Sequence, residues 1–120
     1  MDQKLSISAS FRSIAGSKAC NEDCAISHVP QEKYLRENKG VILAIADGVS
    51  SAEAGGEASY EAINRFVDEY FKAPNIWSVA KSGQNILSIL NLHLYKKSLS
   101  YVLTSKGYLT TFSAVVIKGK

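Results

Sequence analysis

The run Val41-Ile-Leu-Ala-Ile-Ala-Asp-Gly-Val-Ser-Ser-Ala-Glu-Ala-Gly-Gly-Glu-Ala-Ser59 constrains this chain more than any other stretch. Six aliphatic residues, Val41–Ala46, fit a strand buried on both faces. The strand stops at Asp47-Gly48, which presents a carboxylate at its carboxyl end beside a residue without a side chain. Ser50-Ser51-Ala52-Glu53 has the Ser-x-x-Glu spacing of a capping box, so a helix is expected from about Ser51 to about Phe71. Its first turns are small residues and Gly55-Gly56, which let it lie close to a sheet. Strand, carboxylate, glycine and small-residue helix together suit a hard cation or a phosphate. Taken alone, the same layout is also an ordinary strand-to-helix turn.

With 46% apolar and 21% charged residues among 120, the chain is globular and large enough for a core. Its 14 basic and 11 acidic residues give a net charge of +3, spread without a dense basic run. That excludes a nucleic-acid footprint. Met1-Asp2-Gln3-Lys4 leads into alternation rather than an apolar block, so no signal peptide is expected. No apolar run is long enough to span a bilayer, and no membrane contact is expected of this segment. Cys20 and Cys24 lack metal-site spacing, which suits a reduced, cytoplasmic protein.

Leu5–Phe11 alternates apolar and polar residues and predicts a strand with one wet face. Cys24–Val29 predicts a second strand, ended by Pro30, and Gln31–Lys39 an exposed hairpin connection. In the helix after Asp47-Gly48, Ala54, Ala58, Ala62, Ile63, Phe66, Val67, Tyr70 and Phe71 form an apolar stripe. Glu57, Glu61, Arg65 and Asp68 fall on its wet side. A further helix is expected from about Ser78 to Lys97 or beyond, burying Val79, Ile86, Leu87, Leu90 and Leu94. Ser100–Lys106 is apolar enough to extend it, Gly107 ends it, and Leu109–Ile117 is a β-branched strand.

If the strands flanking the 30–40 connection pair antiparallel about its midpoint, Val29 faces Val41 and Asp23 faces Asp47. Glu22, Asp23 and Asp47 would then gather at one end of a sheet. Three carboxylates together repel one another and call for a cation.

Gly16-x-Lys18-x-x-Asn21-Glu22-Asp23, followed by an apolar strand ending Ala46-Asp47-Gly48, resembles the opening of the metal-dependent type 2C protein serine/threonine phosphatases. The likeness continues through Val49–Ala58, Trp77-Ser78-Val79 and Lys106–Ala114. These features are similar to the bacterial branch in which a phosphatase domain precedes a kinase domain. The resemblance implies an α+β fold, a four-layer α/β/β/α sandwich of two antiparallel sheets flanked by helices. Residues 1–120 would be the N-terminal part of a single such domain. It implies hydrolysis of phosphoserine and phosphothreonine in a phosphoprotein substrate, with two Mn²⁺ or Mg²⁺ ions activating a water. Carried over by position, Asp47 would bridge the two metals and the Gly48 carbonyl would bind one. Glu22 would bind the other, and Asp23 would act around them or toward an additional ion.

The family's phosphate-binding arginine corresponds to Lys18, which supplies charge but no bidentate fork. Where many eukaryotic relatives carry a histidine after Asp-Gly, Val49 stands here. The family's later aspartates are absent, so the chain reads as the first half of a domain, nearly inert alone. Its Leu109–Ile117 strand would lack family neighbours, and self-association through it is the expected remedy. A non-catalytic phosphatase-like module for regulation or interaction is the alternative. A small-molecule phosphate-binding domain is weaker, because no Gly-rich nucleotide loop is present. His28 and His93 lack a partner at ligand spacing, Cys20 and Cys24 read as packing residues, and Ser50 and Ser51 read as caps.

Overall fold

Pairing starts where the sequence places two apolar runs either side of a polar connection. The computed structural model describes residues 6–18, 20–49, 54–100 and 107–119. Strand β1 (Asp23–His28) runs antiparallel to β2 (Val41–Asp47), in register from Asp23 opposite Asp47 to His28 opposite Ile42. This is the midpoint register the loop length implies. The connection is not a plain loop, however, because it holds a short helix, α1 (Lys33–Asn38). Lys, Leu, Arg and Glu are good helix formers, and Arg36 Nη1 closes the turn by donating to Pro30 O at 2.7 Å. Gly40, at φ +85°, returns the chain to β2. Nor is the connection exposed throughout. Lys39 is 3% exposed, and its Nζ donates to Ala73 O at 2.5 Å. Burial and nearby Lys118 pull its pKa down.

The chain then crosses one face of the sheet as α2 (Gly55–Lys72), and α3 (Val79–Ser98) packs on α2. Helix α2 begins at Gly55 rather than near Ser51, with Ala54 at the N-cap; the capping-box residues Ser50–Glu53 lie outside the described residues. Its buried side is the expected stripe, with Ala58, Ala62, Ile63, Phe66, Val67 and Tyr70 withdrawn from water. Helix α3 starts as expected, and Ser78 Oγ accepts from Lys81 N–H at 3.0 Å. Its buried side is narrower than expected: Ser82, Ile86, Leu90 and Ser98 are buried, while Leu87 is 42% exposed. Four-residue steps place those residues on one ridge against α2 and leave Leu87 off it. Residues 101–106, over which the sequence allows the helix to extend, lie outside the described residues.

Strand β3 (Ser113–Ile117) completes a three-stranded antiparallel sheet in the order β1-β2-β3. The expected strand over Leu109–Ile117 is interrupted, and its physical cause is local. Asp47 N–H donates to the Thr111 hydroxyl at 3.0 Å instead of the Thr111 carbonyl. That carbonyl accepts from Thr110 Oγ1 at 2.8 Å. A side-chain hydroxyl therefore takes one bond of the ladder between β2 and the start of β3, while Thr111 N–H keeps the other to Asp47 O at 2.9 Å.

The core lies between the sheet and the two helices. Ile42, Ala44 and Ala46 of β2 meet Ala62, Ile63, Phe66, Val67 and Tyr70 of α2 and Ile86 and Leu90 of α3. Phe66 packs on Phe112 with ring centroids 4.8 Å apart. Each large apolar side chain buried there contributes about 1.5–3 kcal/mol. The expectation that β2 is buried on both faces is corrected: Ile45 is 63% exposed, and Val115, opposite Leu43 on the same face, is 57% exposed. Helices cover one face only, and no described element covers the other. Ser6–Phe11, expected with Leu5 to form a strand, is irregular; Leu5 lies outside the described residues. Alternation makes a strand only where another strand supplies hydrogen bonds, and no described strand pairs with this segment. Among the described residues no helix is long and apolar enough to cross a membrane.

Candidate functional site

At the carboxyl end of β2 the chain turns at Gly48, whose N–H donates to Glu22 O at 3.0 Å. The same carbonyl accepts from Ser59 Oγ of α2 at 2.6 Å. Asn21 Oδ1 accepts from Asp23 N–H at 3.1 Å, and its Nδ2 donates to Ser13 Oγ at 2.8 Å. This Asx-type turn fixes the entry into β1 and sets Glu22 and Asp23 beside Asp47. Gly48 leaves no room for a side chain, since a Cβ there would overlap the Gly55 carbonyl. A Cβ on Gly55 would stand 2.6 Å from Glu22 Oε2 and 2.7 Å from Val49 O. The two glycines therefore permit a close approach between the turn, the start of α2 and Glu22.

Around this turn opens a cleft of about 400 Å³ whose walls include Lys18, Glu22, Asp23, Asp47, Gly48 and Thr111. All five residues singled out from the sequence line it. Asp23 and Asp47 are paired across the strands. A hydrogen bond to Asp47, with burial and the Asp47 and Glu22 charges, raises the Asp23 pKa, which Lys18 partly offsets. The Glu22 carboxylate is turned toward Gly55. Among the described residues no group of three His, Cys, Asp or Glu side chains is arranged to hold a metal ion. The donors nonetheless suit one chemically: two facing carboxylates that repel each other, and a carbonyl at Gly48, are hard oxygen ligands.

A second polar centre escaped the reading of the sequence. Glu61, assigned there to the wet side of α2, has a side chain only 14% exposed. Its Oε1 faces Arg65 Nε at 2.9 Å and His93 Nε2 at 2.5 Å. Its Oε2 accepts from Lys97 Nζ at 2.7 Å and from the Tyr108 hydroxyl. Burial pushes the Glu61 pKa up, but the bonds from Lys97, Tyr108, His93 and Arg65 outweigh it and hold it at about 2. The available signal was the spacing of His93 and Lys97, four apart on one side of α3. Cys20 is exposed and Cys24 partly buried, both as free thiols.

No family model, no curated protein and no solved structure matches this chain.

Proposed function

We propose that the chain forms the N-terminal part of a metal-dependent phosphoprotein phosphatase domain of the type 2C kind. The observation that carries this reading is the pairing of Asp23 with Asp47 in a cleft that also receives Lys18 and Gly48. Those are the positions of the two motifs that carry the resemblance. In this reading Asp47, the Gly48 carbonyl, Glu22 and Asp23 hold Mn²⁺ or Mg²⁺, and Lys18 attracts the substrate phosphate. The bound ions supply water activation and charge neutralisation for phosphate-ester hydrolysis. Asp47 orients the site, and Lys18 offsets developing negative charge at the phosphate.

The four-layer sandwich belongs to the same proposal. Ile45 and Val115 stand exposed on the uncovered face, as they would where a second sheet packs. A substrate phosphoprotein in the cytoplasm is the natural partner of such a site. With Glu22, Asp23, Asp47 and the Gly48 carbonyl as its only ligands, such a site would turn over more slowly than a fully ligated one, by on the order of a thousandfold or more.

One observation favours a non-catalytic phosphatase-like module instead: the Glu22 carboxylate lies against Gly55, and no three acidic side chains of the described residues group as metal ligands. Calorimetric titration with Mn²⁺ separates the two readings, together with hydrolysis of p-nitrophenyl phosphate and a phosphothreonine peptide by the protein. Mn²⁺ binding and turnover, both lost in Asp47→Asn, support the phosphatase. Mn²⁺ binding without turnover selects the module, and turnover undiminished in Asp47→Asn sinks the site assignment.

A further inference from the structure

The Glu61 centre lies outside the cleft, yet its contacts lead back to it. Tyr108 is 4% exposed and held on several sides. Its hydroxyl donates to Glu61, its carbonyl accepts from Ser98 Oγ at 2.9 Å, and Lys97 Nζ lies 5.1 Å from its ring centroid. The backbone around Tyr108 then runs along the Asp47–Gly48 turn. Gly107 O accepts from Ala54 N–H at 2.7 Å, and Leu109 O accepts from Val49 N–H at 3.0 Å. Thr110 forms a bridge with Gly48, and Thr111 N–H donates to Asp47 O at 2.9 Å. Residues 107–111 thus splint both sides of the turn, and Tyr108 is the buried side chain that anchors the splint to the helices.

We propose that Glu61 is a positioning residue, holding the Asp47–Gly48 turn in place through Tyr108 and the 107–111 splint. The coupling has a physical basis. A carboxylate with four donors from α2, α3 and Tyr108 is a rigid node. Among the described residues, the turn has no comparable anchor of its own beyond the Gly48–Glu22 backbone bond and the splint. Its importance for turnover rests on the phosphatase reading, but the coupling itself does not.

Amide hydrogen exchange by NMR on the full chain tests it without metal or substrate. Tyr108→Phe keeps the ring and removes only the hydroxyl; Glu61→Gln keeps the volume and removes the charge. In both, the amides of Val49, Ala54 and Thr111 are expected to exchange on the order of tenfold faster, the effect of losing one hydrogen bond to a charged group. The amides of Ala44 in β2 and Val67 in α2 are expected to accelerate only by the global loss of stability that urea unfolding measures, and those of Lys39 and Gly40, which close α1 onto Leu35 O, not at all. Acceleration at every amide alike would show a general loss of stability and overturn the proposal, as would no acceleration at Val49 and Thr111. Should the phosphatase reading fail, the exchange pattern would be unaffected; should the coupling fail, Mn²⁺ titration would still report on the cleft.

Discussion

Replacing Glu61 by Gln tests the energetics of the polar node directly. A carboxyl held at about 2 instead of the ordinary 4.5 stabilises the fold by at most about 3.5 kcal/mol at neutral pH, at roughly 1.4 kcal/mol per pH unit. Solvent screens part of that, because the Arg65 and Lys97 side chains are 52% and 46% exposed. An effect of about 1–2 kcal/mol is therefore expected at pH 7. The sign follows from the direction of the shift. The folded pKa lies below the unfolded one, so the stabilisation is present above about pH 4.5 and is lost as pH falls toward about 2. Urea unfolding of the natural chain and of Glu61→Gln, at pH 7 and at pH 3, measures it. The gap between the two should shrink by about half at pH 3. A gap that is the same at both pH values would show that Glu61 contributes through packing rather than charge.

Three other outcomes are expected. Gly48→Ala should lower stability by about 2 kcal/mol or more in thermal melts, because the new Cβ meets the Gly55 and Glu22 carbonyls, which are backbone and cannot swing away. Tyr70→Phe should cost about 1–2 kcal/mol in urea unfolding, since it leaves the buried Lys39 carbonyl without the hydroxyl 2.7 Å away. Light scattering of the chain at high concentration should show self-association through the β3 edge and the uncovered face around Val115. Val115→Lys should shift that equilibrium toward monomer, and a monodisperse natural chain would count against the whole idea.

The parts of the fold that could be read from sequence are those set by local counting. Asp23 meets Asp47 because a loop's midpoint determines which residues of its two flanking strands face each other. The α2 stripe was legible because Ala58, Ala62, Ile63, Phe66, Val67 and Tyr70 repeat at helical spacing on one element. Glu61 was not, because it sits at the edge of that stripe and its fate depends on where α3 lies. Neither its burial nor its bonds to His93, Lys97 and Tyr108 follow from spacing within α2. The break in the strand over Leu109–Ile117 was equally hidden. It follows from two hydroxyls, Thr110 and Thr111, competing with a ladder whose partner is more than 60 residues away. Ser6–Phe11 shows the opposite failure, a good local pattern without a partner edge among the described strands.

Side-chain size links the core to the cleft. On the helix-facing side of β2, Ala44 and Ala46 replace the larger side chain of Ile42 as the strand approaches the turn. On α2, Ala58 and Ala62 do the same toward the helix start. Small residues facing small residues let the two elements draw together at that end, while Phe66 and Tyr70 hold them apart at the other. The close end is where Gly55 meets Gly48 and the Glu22 carboxylate. Enlarging Ala46 or Ala58 would therefore do more than overpack a core. It would drive the start of α2 from the turn, lengthen the Ser59 bond to Glu22 O, and release Glu22 and Asp23 from their fixed relation to Asp47. Core and site are thus one packing problem, in which the smallest side chains determine how closely the carboxylates are held.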